Sequence, residues 1–226
     1  MKTNFTFLLT FIFFFIVSCK KESLSPQLNN TETVSLSSDL QSCQTYFYYQ
    51  GRQPKNLGPI FTDKIILGFK KGTNQVNKAM TLALFPEIQG ILTETQTNIA
   101  PLTIVGLKPN LTCLQIDKLL KDLPLSQHIE FANGYFSYPD PVGSRVSTTN
   151  SFVISLLPNR TISDLSNVIK LTKTEMFMDL GFGLYFFKTT KQSPYSCIQT
   201  ANLFYESGLC ETAEPDFYFE FAPAPL

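Results

Sequence analysis

The residues that could do chemistry are few and poorly spaced for it. A nucleophilic serine or cysteine needs a base beside it, and the base needs a third group to orient it. The sequence has one histidine, His128, between a helix stop and a strand, and it reads as a surface or capping residue. Two carboxylate pairs stand out, Glu175 with Asp179 around Met176–Met178, and Glu211 with Glu214. Acid-base work needs carboxyls converging on one point, whereas residues three apart on a strand point to opposite faces. Solvated charge is the expectation. Gly181-Phe182-Gly183 lacks the third glycine, the lysine and the following helix of a phosphate loop, and reads as a hairpin turn. These residues predict no catalytic group, no metal and no cofactor.

Cysteine supplies a different chemistry. Lys2 precedes an apolar run from Phe7 to Val17, too short to span a membrane as a mature helix, and Ile16-Val17-Ser18-Cys19 follows. This segment resembles the lipobox of bacterial lipoproteins, in which the signal is cut before a cysteine that is then lipidated. The resemblance implies a signal peptide over residues 1–18, lipidation at Cys19, and a cell-envelope protein held on a membrane by its lipid. An ordinary secretory signal is the alternative. Cys43, Cys113, Cys197 and Cys210 remain, without CxxC spacing, in an exported chain where disulfides are permitted. Four thiols allow three pairings and the spacing chooses none. Cys197 falls on an apolar helix face and reads as a small buried hydrophobe.

The 18 basic residues of the chain lose Lys2 with the signal, leaving 17 against 18 acidic ones. A net charge of −1 argues against nucleic acid, because phosphate binding needs a basic face. The aromatic run Phe217-Tyr218-Phe219 with Phe221 lacks interleaved basic residues for base stacking and fits alternating strand positions better.

Elements must carry these residues. Residues 19–43 are polar and rich in Ser, Asn and Thr, a tether between lipid and fold. Tyr46-Phe47-Tyr48-Tyr49 predicts a strand ended by Gly51 and Pro54. A first unit over 44–138 then reads as a strand at Lys64–Phe69 and a helix burying Val76, Ala79, Met80 and Ala83. Strands at 91–96 and 102–107, a helix capped by Thr112 with Ile116, Leu119, Leu120 and Leu123 on one face, and a strand at 129–136 complete it. Turn residues fill a linker at 139–149. A second unit over 150–226 repeats the order. It has a strand at 152–157, a helix opened by the Thr161/Asp164 capping box, and strands at 176–180 and 184–188. A helix capped by Ser193 and Pro194 carries Cys197, Ala201, Phe204 and Tyr205, Gly208 closes it, and a strand runs from Glu211 to Phe219. The copies are visible in letters as well: Ile116, Leu120 and Leu123 recur 81 positions later as Cys197, Ala201 and Phe204, and Glu130, Ala132 and Phe136 as Glu211, Ala213 and Phe217. The fold class expected is α+β, two tandem ferredoxin-like (βαββαβ) units with antiparallel sheets. Each sheet has one face under helices and one left open, to be covered by the other repeat or by a protein.

Two stretches carry a further resemblance. YFYYQG with DKIILGFKKG, and above all ANLFYESGLCETAEPDFYFEFAP from Ala201 to Pro223, resemble the N-terminal propeptide region of bacterial subtilisin-like serine peptidases. In that family a pattern like A-N-x-F-Y-E-S-G-L-x-x-x-A-E-P-D-F closes the pro-region. Ala201, Asn202, Phe204 to Leu209 and Ala213 to Phe217 fit it. A catalytic domain follows in the family, and none of its signatures is in this sequence. The resemblance implies a propeptide-like lipoprotein that binds and inhibits or chaperones a subtilisin-like serine protease in trans. Its contacts would be a sheet face and a tail of Glu214, Pro215, Asp216, Phe217, Tyr218, Phe219 and Phe221, added as an extra strand in the cleft. A general cell-envelope interaction scaffold and a truncated protease remnant are the alternatives.

Overall fold

The structure, a computed structural model, describes residues 43–96, 101–141 and 143–220. It is α+β with antiparallel sheets. The chain opens with a hairpin, β1 (Thr45–Gln50) and β2 (Gln53–Pro59), joined by a turn at Gly51. The sequence predicts β1 and a stop at Pro54, yet Pro54 pairs with Tyr49 inside β2. A proline is tolerated there because an edge strand need not donate on its outer side.

Next come β3 (Lys64–Phe69), α1 (Gln75–Leu82), β4 (Ile88–Gln96), β5 (Pro101–Leu107), α2 (Cys113–Asp122) with a 3-10 turn at Leu123–Leu125, and β6 (Ile129–Gly134). Their sheet order is β4-β5-β3-β6, every neighbour antiparallel. A short β7 (Phe136–Ser137) leads into β8 (Arg145–Leu156), then a 3-10 turn at Ile162–Leu165, α3 (Ser166–Thr172), β9 (Thr174–Gly181), β10 (Leu184–Thr189), α4 (Cys197–Glu206) and β11 (Cys210–Glu220). This sheet runs β11-β8-β10-β9, also antiparallel, so the strand order of the first sheet recurs. β8 begins at Arg145, inside the 139–149 stretch expected as linker, and its early residues Arg145 and Val146 pair with β7.

Local chemistry explains most boundaries. Thr112 caps α2 and Gln115 reaches back to the cap, and Ser196 and Gln199 do the same for α4. The cap of α4 is therefore Ser196 and not Ser193, since only Ser196 has a glutamine three residues on; the Ser193 hydroxyl instead donates to the Thr172 carbonyl at 2.7 Å. Gly208 supplies the left-handed residue after α4, with φ of 71°. The face of α1 is also a correction. Val76, Ala79, Met80 and Ala83 face solvent, whereas Thr81 and Leu82 are buried and Lys78 lies inward, paired with Glu94 and over the Phe69 ring. Its apolar residues admit two helical stripes, and the ion pair to β4 goes with the other one.

Under α2, the core holds Ile65, Leu67, Val105, Ile116, Leu119, Leu123 and Ala132. Phe152, Phe187 and Phe204 interlock under α3 and α4, with ring centroids 4.9 to 5.7 Å apart. Burying each ring stabilises by about 1.5–3 kcal/mol. A disulfide joins Cys43, just before β1, to Cys113 at the start of α2, and Cys197 and Cys210 are free and buried.

Candidate functional site

The histidine and the carboxylates singled out in the sequence each have their own surroundings. The His128 Nε2 sits 3.0 Å from the Gln127 side chain, with no nucleophile on it. Glu175 pairs with Lys188 at 3.4 Å, and the Asp179 carboxylate accepts from the Gly181 amide at 2.8 Å, which fixes the hairpin turn. Glu211 is exposed, while Glu214 is half-buried on β11. Among the described residues no three His, Cys, Asp or Glu side chains stand together as metal ligands. The Cys197 thiol is pushed far above its ordinary value by burial, and that of Cys210 to about 12 for the same reason, so neither is a thiolate nucleophile near neutral pH.

What the fold does build is a contrast between two sheet faces. Opposite its helices, the first sheet presents Ile66, Leu102, Ile104 and Phe131 together with Tyr135, all buried. They are covered from within the chain. Asn133, which pairs with Ile66, donates to the Thr148 and Thr149 carbonyls of β8 at 2.9 and 3.0 Å, and the Ser147 hydroxyl donates to the Gly134 carbonyl at 2.7 Å. Tyr218 of β11 packs on the same cluster. Lys64 pairs with Glu220, and Arg145 pairs with Asp63 at 2.6 Å while lying over the Phe61 ring. The first half of β8 and the end of β11 thus serve as a lid on the first sheet.

The second sheet has no such lid among the described residues. Register places Glu214 opposite Val153, Val153 opposite Phe186, and Phe186 opposite Met178, one row across β11, β8, β10 and β9. The neighbouring row, Pro215, Phe152, Phe187 and Met176, points toward α3 and α4, as the burial of Phe152 and Phe187 requires. The Glu214 row therefore lies on the open face. Beside it the β9–β10 hairpin exposes Met176, Phe177, Met178, Leu180, Phe182 and Leu184, with Phe182 at the turn fully exposed at 104%. Phe182 also has a positive φ of 56°, a conformation that costs a non-glycine residue roughly 1–2 kcal/mol. Six large apolar side chains on one edge hairpin exceed the scattered exposure of an ordinary surface.

The predicted tail residues fall beside this face. Glu214, Pro215, Asp216, Phe217, Tyr218 and Phe219 all lie within β11, and most of them pair residue by residue with β8 between Val146 and Val153. They form the outer strand of the sheet, not a loose extension. Phe221, like Cys19 and the signal segment, lies outside the described residues. The Asp216 carboxylate accepts from the Thr149 and Ser151 hydroxyls at 2.8 and 3.0 Å, in a bulge between Pro215 and Phe217. Phe217 packs edge-on to Tyr48 at 4.8 Å, and Tyr138 packs on Phe219 at 5.0 Å. A cavity of 350 Å³ opens where these rings meet Val153, Phe186 and Glu214. The Tyr48 phenol there is pushed well above its ordinary value, first by burial, then by its Tyr138 partner and the Glu214 charge.

Reading the sequence missed the exposed hairpin. The signal was present in Met176-Phe177-Met178-Asp179-Leu180 and Phe182, where apolar residues occupy both parities of a strand and so cannot all face one core. Among the described residues no helix is long and apolar enough to cross a membrane. No family model matches the chain, and no curated protein matches it.

Proposed function

We propose that the chain is a non-catalytic docking module, held at the cell envelope through Cys19, that binds and inhibits or chaperones a subtilisin-like serine protease in trans. The observation that carries this reading is the unequal treatment of the two sheets. One open face is covered at its centre by the chain itself, with only its edge strand β4 left exposed, and the other, with the apolar β9–β10 hairpin, has no such cover among the described residues. Two ferredoxin-like repeats account for this arrangement, and the shared element order and matching strand orders β4-β5-β3-β6 and β9-β10-β8-β11 support them. The second repeat covers the first, which leaves the last sheet for a partner. The closing-motif resemblance names that partner's class. In this reading β11 contributes as a fixed outer strand, with Glu214 to Phe219 positioned before binding, which lowers the entropy lost on association.

The test is inhibition of a panel of subtilisin-like proteases by the full-length protein. Cutting the chain after Ala213 is not a clean control, because it removes the half of β11 that pairs with β8 and covers the first sheet. Point substitutions on exposed hairpin residues are the proper comparison. Inhibition at nanomolar to micromolar concentration that those substitutions abolish supports the reading. A folded protein that inhibits no member of the panel and associates with none overturns it.

A further inference from the structure

We propose that the cavity between β1, β8 and β11 is a receptor for a cationic side chain, an arginine or lysine presented by the docked protein. This rests on the docking reading above and names the chemistry that the face recognises. The cavity is walled by rings held in mutual edge-on contact: Tyr48 on Phe217 at 4.8 Å, Tyr138 on Phe217 at 6.2 Å, and Tyr138 on Phe219 at 5.0 Å. These rings line the cavity wall, and a cation within about 6 Å of an aromatic face is attracted by it. At 350 Å³ the space is at the small end of ligand sites, sized for a side chain.

Charge selects the occupant. Glu214 and Asp216 both line the cavity, and no basic residue does. Asp216 is held by the Thr149 and Ser151 hydroxyls. Glu214 has neither an ion pair nor a hydrogen-bonded side chain among the described residues, although it is half-buried and its charge is felt by the Tyr48 phenol. A cation entering from the partner would meet a half-buried carboxylate that has no counter-ion of its own among the described residues. Glu214 also heads the row Glu214, Val153, Phe186 and Met178, so a basic side chain here would sit at the edge of the apolar contact. An apolar centre with a charged, partly desolvated rim is the ordinary anatomy of a protein interface. A free anion or an acidic segment is disfavoured by the same two carboxylates.

The experiment titrates the full-length protein with Nα-acetyl-arginine amide and reads ring proton shifts of Tyr138 and Phe219, with Nα-acetyl-citrulline amide as the uncharged control. We expect saturable shifts with a Kd on the order of 1 mM, as for a small ligand in a shallow site. The citrulline probe should bind roughly tenfold more weakly, and so should the arginine probe to Glu214→Gln or Phe219→Leu. Both variants are checked for an unchanged unfolding midpoint. Equal binding of the two probes, or no shift at Tyr138 and Phe219, overturns the proposal. The probe arm needs no protease, so the two readings fail separately. Protease inhibition unaltered by Glu214→Gln would sink the cation receptor and leave docking intact; probe binding without inhibition of any protease would support the receptor and remove the docking partner.

Discussion

Asn202 of α4 donates from Nδ2 to the carbonyl of Phe47 in β1, 2.9 Å away and 155 positions earlier in the chain. Tyr49 stacks on Tyr205 beside it at 4.3 Å, and the Tyr49 hydroxyl donates to Glu206 at 3.1 Å. The first hairpin is thus fastened to the last helix. Asn202→Ala should cost about 1 kcal/mol, a modest loss because the asparagine Oδ1 has no partner of its own. Asn202→Asp should cost more, since it turns a carboxylate toward a carbonyl in a nearly buried site. Urea unfolding gives the order, and faster amide exchange across residues 45–59 in both variants locates the effect.

A second tie closes the same hairpin from the other side. The Cys43–Cys113 disulfide spans a separation of 70 residues, and in the chain-entropy account a loop of that size is worth up to about 4 kcal/mol. Reduction, or Cys43→Ser with Cys113→Ser, should lower the unfolding midpoint sharply. Thiol titration should show Cys197 and Cys210 reacting only after unfolding, because both are buried. Their reaction in the native state at the rate of an exposed thiol would refute the packing described.

Alkaline pH should destabilise the fold. Tyr46, Tyr48 and Tyr135 are each pushed well above the ordinary value of 10.0, burial being the largest cause in all three. Below about pH 10 these phenols are protonated in both the folded and unfolded chains and add no pH dependence. Above it the unfolded chain releases protons that the folded chain retains, so stability falls as pH rises. The phenolate absorbance of these three should appear together with loss of near-ultraviolet circular dichroism, and not before it.

The sequence made the elements legible wherever a local rule sufficed. Thr112, Thr161 with Asp164, and Gly208 mark helix ends, and Phe152, Ile154 and Leu156 alternate as a strand beside helices must. Two of the pairs 81 apart occupy like places, whereas Phe136 lies in β7 and pairs with β8 of the other sheet. Ile116 and Cys197 are both buried on their helices, and Ala132 and Ala213 pair with core residues Leu67 and Ile154 of β3 and β8. What stayed hidden needed tertiary knowledge. The α1 face was misread because Val76 and Met80 keep a helical spacing whichever way the helix turns, and the Lys78 to Glu94 pair lies on the other side. β2 was missed because QPKNLGP has no strand composition and exists through its pairing with β1. The open face could be expected in general, yet which sheet keeps it depends on β8 crossing the first sheet, a long-range event.

Phe182 gives a sharp contrast between folding and contact. Fully exposed and in a left-handed conformation, it gives the fold nothing and costs it backbone strain. Phe182→Gly should raise stability by up to about 1 kcal/mol, since glycine adopts the positive φ without penalty. A loss of stability would mean that the ring packs against part of the chain.

The most direct test of the central claim measures inhibition constants for the full-length protein and for Met178→Glu with Phe182→Ser, against the member of a subtilisin-like protease panel that it inhibits best. Both positions are exposed, so the fold should be retained. If the open face and its hairpin form the contact, the double variant should bind at least about 30-fold more weakly, the loss of a central apolar anchor. Equal inhibition by the two proteins would contradict the account, and so would the absence of any inhibition or association by the unaltered chain.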